Sequence, residues 1–165
     1  MTTYTHEIEI DVPTDYAFEW GLVPENWRRC MPALTAIEHI EETEEGDRYQ
    51  STFKILGRSV TDTSLFKIIE PNAHAMSVME GPDMTGEMHY YYTETDSGTT
   101  VRFVAEFDDA ESLFERALQP VFTRYLNRQF RNHLRTMKDL AEAEHAAADA
   151  ATADAADVTI EGIAR

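Results

Sequence analysis

The sequence has very little of what usually cross-links or anchors a small protein. Cys30 is the only cysteine among 165 residues, which excludes an intramolecular disulfide. One thiol fits a reducing compartment, and a chain of this length buries about two-thirds of its unfolded surface without cross-links. The opening MTTYTHEIEI does not have the pattern of a signal peptide, and no apolar run approaches the roughly 20 residues of a membrane span. We therefore expect a soluble, cytoplasmic protein without stable membrane insertion.

Lysine is almost absent, since only Lys54, Lys67 and Lys138 occur. The chain carries 31 acidic and 14 basic residues, a formal net charge of −17. Because such a surface repels phosphate backbones and anionic headgroups, we expect no nucleic-acid binding. The acidity could form a docking face for a basic partner or a solvated surface suited to high cytoplasmic salt. Few lysines and no localised acidic block favour the second interpretation and predict a salt-loving source.

The usual catalytic motifs are missing as well. The sequence has no G-x-S-x-G elbow, no glycine-rich phosphate loop and no H-E-x-x-H. Its histidines, at positions 6, 39, 74, 89, 133 and 145, lack metal-ligand spacing. We expect neither a metal nor a cofactor.

What the chain does have is a regular series of strand patterns. Residues 4–12 (YTHEIEIDV) alternate strictly, which predicts a half-buried strand that Pro13 ends. Thr14 or Asp15 is expected to cap a short helix over residues 16–20, and a second begins near Pro24. Short turns then separate six more strand patterns, which with the first predict an antiparallel series of seven: LTAIEHIEE, RYQSTFKIL, RSVTDTSLFKII, AHAMSVME, MTGEMHYYYTET and TTVRFVAEFDD.

From Glu111 the apolar residues recur at three- and four-residue steps, which predicts a long amphipathic helix up to about residue 141. Pro120 within it predicts a kink or a break. The Ala/Asp-rich residues 142–165 lack an apolar stripe, so we expect a helical extension that is frayed or mobile. The final VTIEGIAR could add a strand to a neighbour, although disorder is the simpler expectation. The predicted organisation is one domain over residues 1–141 and a tail over residues 142–165.

One segment and the order of the elements point to a known family. In DVPTDYAFEWGLVPENWRRCMPAL, the residues Pro24, Glu25, Asn26, Trp27, Met31 and Pro32 fill a pattern typical of the START-like superfamily, also called SRPBCC. The chain resembles that family over residues 4–141. The resemblance implies an α+β helix-grip fold, in which a curved seven-stranded antiparallel sheet surrounds a long C-terminal helix and two short helices follow strand 1. It further implies an elongated apolar cavity that the short helices close on one side, with Trp27 and Met31 near it.

Three strands divide cleanly into an apolar and a polar face, whereas SVTDTSLF and AHAMSVME do not. Their apolar faces, the stripe of the long helix and the family resemblance together give the predicted ligand-binding residues: Trp27, Met31, Phe53, Met84, Met88, Tyr90, Tyr92, Phe103, Phe122 and Tyr125. Aromatic and methionine side chains of this kind line pockets for apolar ligands, although they also fill ordinary cores.

Candidate catalytic groups are few. Tyr90 and Tyr92 could polarise a ligand carbonyl and His6 could carry a proton, although structural roles in the core are the simpler interpretation for all three. Asp62 and Arg58 share one strand face, as a pocket ion pair or a solvated pair outside. Cys30 follows Arg28 and Arg29, which could lower the pKa of its thiol.

We therefore hypothesise that the protein binds a hydrophobic small molecule, such as a lipid, an isoprenoid quinone or a polyketide-like compound. Family relatives suggest two alternatives: a cyclase, aromatase or dehydratase acting in the same pocket, or a protein-interaction module. Whether the protein is an enzyme stays open at this point. We expect a monomer or a weak homodimer.

Overall fold

The protein is built on one curved antiparallel sheet, seen in a computed structural model that describes residues 1–55, 57–81, 85–108 and 113–163. For residues 113–118 and 154–163 only the helical backbone is described. The elements, in chain order, are β1 (Thr2–Ile10), α1 (Thr14–Leu22), α2 (Pro24–Cys30), β2 (Leu34–Thr43), β3 (Gly46–Ile55), β4 (Arg58–Glu70), β5 (His74–Glu80), β6 (Thr85–Thr95), β7 (Gly98–Phe107) and α3 (Leu113–Ile163).

Within the described residues the sheet has seven strands in the order β1-β7-β6-β5-β4-β3-β2, and every neighbouring pair is antiparallel. The chain therefore crosses from one edge of the sheet to the other through α1 and α2. Register shifts interrupt the pairing of β2 with β3 and of β4 with β5. Such irregularities bend strands, so they help the sheet to curve around α3. The predicted α+β helix-grip fold is confirmed.

The two short helices begin at prolines. Pro13 is the N-cap of α1, and Pro24 is the first residue of α2, where a missing backbone N–H costs nothing. The predicted side-chain caps at Thr14 and Asp15 are wrong, because no side-chain capping hydrogen bond forms. Instead, the hydroxyl of Thr14 is 3.1 Å from Thr99 Oγ1 at the start of β7.

Helix α3 packs its apolar stripe against the concave face of the sheet. Its buried side chains recur at the spacing predicted from the sequence: Leu126, Phe130, Leu134, Met137 and Ala141. The helix continues through Pro120, so it does not break there, and the alternative prediction of a kink stays a prediction. It also extends to Ile163, and residues 158–163 are therefore helical rather than a strand. The predicted domain boundary at residue 141 stays a prediction, although Glu142 and Glu144, beyond it, contact residues of the domain.

Candidate functional site

A cavity lies beneath α2, between α3 and the inner face of β2 to β6. We call it the polar chamber because polar side chains alternate with large apolar ones around it. The space between its atoms is about 550 Å³ when the mouth that opens to solvent is included. The centre of a water molecule can occupy about 50 Å³ of this space. The lining residues are Trp27, Met31, Leu34, Ile37, Ser51, Phe53, Asp62, Ser64, Phe66, Ser77, Met79, Met88, Tyr90 and His133.

Trp27 forms part of the cover. Its indole N–H donates a hydrogen bond to the carbonyl of Gly21, which fixes the ring across the junction of α1 and α2. The ring centroid lies 5.5 Å from that of Tyr49 and 4.8 Å from that of Phe66. A partly buried aromatic side chain that still satisfies its polar atom can hold such a position stably. The PENWRRCMP segment therefore closes one side of the cavity through Trp27 and Met31, as the family resemblance implied.

The sheet side of the polar chamber is unusually polar for an interior. Ser51, Ser64 and Ser77 are buried on three adjacent strands, and Asp62, which is 2% exposed, pairs in register with Ser51. Arg58 is exposed, so it does not share the buried environment of Asp62, and the predicted solvated pair is wrong. These residues were hard to predict because β4 and β5 place serine and aspartate at inward positions where an apolar residue usually marks the inner face.

Half-buried Tyr90 and buried His133, which also line the polar chamber, form a hydrogen-bonded pair. The phenol oxygen of Tyr90 on β6 lies 3.1 Å from Nε2 of His133 on α3. Burial lowers the pKa of His133 from 6.5 to about 4, and it raises the pKa of Tyr90 above its ordinary value. Both side chains are therefore neutral at pH 7. Nδ1 of His133 has no hydrogen-bond partner within the part of the chain that the structure describes.

His133 was not predicted as a site residue. The signal was present, because position 133 lies three residues after Phe130 and four before Met137, on the buried face of α3. A polar residue in the apolar phase of a helix facing a cavity is a reasonable candidate for ligand contact.

A second, smaller cavity adjoins the first, and we call it the apolar chamber. It provides about 30 Å³ for the centre of a water molecule. Its lining is apolar except for Gln129 and the Tyr125 hydroxyl, and consists of Met31, Ala33, Phe53, Ile55, Met79, Met88, Phe107, Tyr125, Leu126, Gln129 and Phe130. Four side chains line both chambers and therefore separate them: Met31, Phe53, Met79 and Met88.

The structure brings most of the predicted ligand-binding residues together. The ones that line at least one chamber are Trp27, Met31, Phe53, Met88, Tyr90 and Tyr125. Tyr92 packs on Phe18 with its hydroxyl beside Gly21, Phe103 is buried between Tyr90 and Phe130, and Phe122 is half-buried at the core. None of these three is among the lining residues, and Met84 lies outside the described residues. The ligand-binding roles of all ten residues stay predictions.

Two further candidates lie elsewhere. His6 is half-buried on β1, outside the lining of both chambers. Burial lowers its pKa, and a hydrogen bond with Asn127 acts in the opposite direction. Cys30 is 1% exposed, and this burial raises the pKa of its thiol to about 12 despite the neighbouring Arg29. The predicted lowering of that pKa is therefore wrong, and the sulfur stays a thiol at neutral pH.

The cover of the polar chamber is held by the second half of α3. Glu144 accepts hydrogen bonds from the indole N–H of Trp20, at 2.7 Å, and from the guanidinium of Arg29. The Asn26 amide donates to the carbonyl of Trp20 at 2.9 Å, which ties α2 to α1. Glu142 adds a hydrogen bond from the backbone N–H of Asp11. Together these contacts form a latch between α3 and the α1–α2 cover.

Neither a metal site nor a membrane span is found in the part of the chain that the structure describes. Among these residues, no group of three or more histidine, cysteine, aspartate or glutamate side chains is arranged to hold a metal ion. No helix in the described ranges is both long enough and apolar enough to span a bilayer.

A curved sheet wrapped around a long terminal helix, with a cavity beneath two short helices, defines the helix-grip class of α+β proteins. The chain belongs to the polyketide cyclase/dehydrase and lipid transport family, whose sequence model matches residues 1–142. No curated protein matches the chain at a significant level.

Solved structures with the same fold share little sequence with it. A protein of Thermus thermophilus superposes with a TM-score of 0.77 at 13% identity, covering 87% of this chain and 99% of the other. The Zhui aromatase/cyclase of Streptomyces sp. R1128 gives 0.70 at 14% identity, covering 86% and 93%. The Aha1 dimer protein of Colwellia psychrerythraea gives 0.61 at 16% identity, covering 86% and 97%. At such identities the similarity shows the fold alone.

Proposed function

We propose that the protein reversibly binds a hydrophobic small molecule, such as a lipid, an isoprenoid quinone or a polyketide-like compound, in the two chambers beneath α2. The observation that carries this proposal is a hollow between sheet and helix whose wall consists largely of methionine and aromatic side chains. Each 100 Å² of apolar ligand surface that the chambers bury contributes roughly 2.5 kcal/mol to binding. A few polar groups within an apolar wall are typical of small-molecule sites.

The chambers must enlarge to admit such a ligand. Together they offer far less space than the roughly 300 Å³ of a typical pocket for a drug-sized molecule. Three of the four side chains that separate them are methionines: Met31, Met79 and Met88. Methionine is unbranched and changes rotamer easily, so a ligand can displace these side chains and join the two chambers at modest cost.

Catalysis is the second candidate function, and the Tyr90–His133 pair is the observation that favours it. A buried pair of this kind could polarise a carbonyl or move a proton, as a cyclase or aromatase requires. The pKa of about 4 argues against His133 as a general base. An imidazole with so low a pKa has little driving force to remove a proton from a substrate near pH 7. The pair is better suited to hold and orient a polar group, so we rank binding first.

The proposal is tested by measuring whether a ligand occupies the cavity, with two independent methods. Native mass spectrometry of gently purified protein should find a co-purified apolar molecule. Titration with 1-aminoanthracene, an uncharged fluorescent amine, should show saturable uptake at one molecule per chain. The variant Ser64→Phe places a ring in the polar chamber and should abolish this uptake. Ser59→Phe is the matched control, because Ser59 lies on the same strand but is exposed.

Uptake that is equal in Ser64→Phe and Ser59→Phe would place the dye on the surface and refute the proposed site. If neither method detects binding to the wild type, the binding function itself fails. Turnover that falls in Tyr90→Phe while dye uptake is unchanged would instead support the catalytic alternative.

The cellular compartment and the oligomeric state are further parts of this proposal. The net charge of −17 and the single buried thiol support a cytoplasm of high salt. The same charge opposes self-association at low ionic strength, which supports a monomer or a weak homodimer.

A further inference from the structure

We propose that the site selects amphipathic ligands whose head group donates hydrogen bonds and carries no negative charge, with the head in the polar chamber and an apolar tail in the apolar chamber. This inference rests on the proposed binding function and adds to it the chemical class and the orientation of the ligand. Alcohols and amines satisfy it, whereas carboxylic acids do not.

The contrast between the two chambers gives the orientation. The polar chamber has three serine hydroxyls, the Asp62 side chain and the Tyr90 phenol on its sheet side, and His133 on the side of α3. The apolar chamber has the side-chain amide of Gln129 and the phenol of Tyr125 as its polar groups, among aliphatic, aromatic and methionine side chains. A buried head group without hydrogen bonds costs a ligand several times what a buried methylene gains. A ligand that spans both chambers is therefore most stable with its head beside the serines.

The charges around the hollow decide which heads are accepted. No lysine or arginine occurs among the described residues that line either chamber, and the ionisable acid there is Asp62. His133 is neutral at pH 7, so it provides no positive charge either. An anionic head would lose its hydration, and no cationic side chain among the described lining residues would offset that cost. The acidic surface of the whole chain adds a repulsion at a distance.

The acceptors in the polar chamber also favour a donor head. A carboxylate accepts hydrogen bonds only, and a serine hydroxyl can accept as well as donate. A hydroxyl or amine head can donate to these groups, whereas a carboxylate head cannot.

The head-group test compares three ligands that share one tail. Octan-1-ol, octylamine and octanoate compete against 1-aminoanthracene bound to wild-type protein at pH 7.5 and at constant salt. Octan-1-ol and octylamine should each displace the dye at concentrations at least about tenfold lower than octanoate. Octanoate that competes as well as octan-1-ol would overturn the selectivity while leaving the proposed binding function intact. If the wild type shows neither dye uptake nor a co-purified molecule, the binding function fails and the selectivity fails with it.

A charge-removing variant sharpens the same test. Asp62→Asn should improve competition by octanoate and narrow its gap to octan-1-ol. The matched control is Glu80→Gln, which removes one negative charge from the exposed end of β5. If both variants narrow the gap equally, the repulsion belongs to the whole surface rather than to the chamber, and the head-group assignment is wrong. Should Asp62→Asn fail to fold, the wild-type comparison of the three ligands still decides the question.

The orientation is tested by tail length. In the wild type, octan-1-ol should bind more tightly than hexan-1-ol by about fourfold for each added methylene. Ala33→Leu extends a side chain that lines the apolar chamber alone, so this gain should shrink towards unity. Ala36→Leu, on the exposed part of β2, is the control and should keep the full gain. An undiminished gain in Ala33→Leu would show that the tail lies elsewhere.

Discussion

The two halves of the sheet follow the same alternation but fill their inner faces differently. On β7, the inward residues Val101, Phe103 and Ala105 are completely buried, and Phe103 packs against Phe130 of α3 at 4.9 Å between ring centroids. On β3 to β5, the corresponding inward positions include Ser51, Ser64 and Ser77, and a hollow lies above them. We call these the filled half and the hollow half.

The difference teaches that one sheet can separate stability from ligand capacity. A closely packed interface stabilises the fold through both apolar burial and van der Waals contact. Removing even one methylene group there lowers the free energy of unfolding. The hollow half forgoes that gain, because a serine in place of a large side chain leaves space and keeps a hydroxyl available. The filled half should therefore carry the stability of the domain, and the hollow half its selectivity.

The largest effect is expected from opening the filled half. Phe103→Ala should reduce the free energy of unfolding by about 3–5 kcal/mol, because it leaves a cavity where the side chain is 0% exposed. Denaturant unfolding followed by circular dichroism measures this loss. Ser77→Ala is the matched truncation in the hollow half and should change stability by less than about 1 kcal/mol. Equal losses in both variants would contradict the division of the sheet.

A somewhat smaller effect on stability should come from lowering the pH, because His133 of the Tyr90–His133 pair then gains a proton. The pKa of His133 is lowered from 6.5 to about 4 in the folded protein, so between these values the unfolded chain binds more protons. Stability should therefore rise with pH across this window, and acidification should remove up to about 3 kcal/mol. The measurement is unfolding free energy against pH for the wild type and for His133→Phe, in which the slope should flatten. The control is His39→Gln, which removes an exposed imidazole. An unchanged slope in His133→Phe would assign the acid sensitivity to other groups.

Filling the hollow half tests the comparison from the opposite direction. Ser77→Val should raise the unfolding free energy by up to about 1 kcal/mol, since it adds apolar contact where space exists. The same variant should weaken uptake of 1-aminoanthracene. Thermal unfolding and dye titration check the two expectations together. A variant that gains stability and binds the dye unchanged would show that the hollow has no part in binding.

The smallest effect should come from the latch that joins the cover to α3. Hydrogen bonds from Arg29 and Trp20 lower the pKa of Glu144, so its contribution is present above the unfolded value and is lost as the pH falls through the folded one. Glu144 is 41% exposed, so solvent screening should limit the cost of Glu144→Gln to less than about 1 kcal/mol. Hydrogen exchange should nevertheless quicken in α1 and α2 before it does in the filled half. Uniform quickening would indicate a global loss of stability instead.

The filled half was largely predictable from the sequence and the hollow half was not. In β7, the alternation of Val101, Phe103 and Ala105 marks the inner face because these three consecutive inward residues are apolar. In β4 and β5, inward Asp62, Ser64 and Ser77 are polar, so a hydrophobic pattern hides the face that they share. Polarity also concealed His133, although its position on α3 agrees with the buried stripe. Residues that serve a cavity break the pattern from which a core is predicted.

The cover illustrates a second limit. Sequence spacing predicted α2 from Pro24 onwards and placed the end of the domain at residue 141, yet Glu144 bonds to both cover helices. An Ala/Asp-rich segment has no apolar stripe that would reveal such contacts. A tertiary hydrogen bond between residues more than one hundred positions apart leaves no periodic signal in the sequence.

The path of the chain restricts how the cavity can open. Because α1 and α2 connect the two outermost strands, they form a strap tethered at both rims of the sheet rather than a flap on one hinge. The two helices can tilt or slide over the cavity. They cannot move away from it completely unless β1 or β2 also separates from the sheet. A ligand of the proposed kind would therefore enter beside α1 and α2, and the mobility of these helices would limit its width.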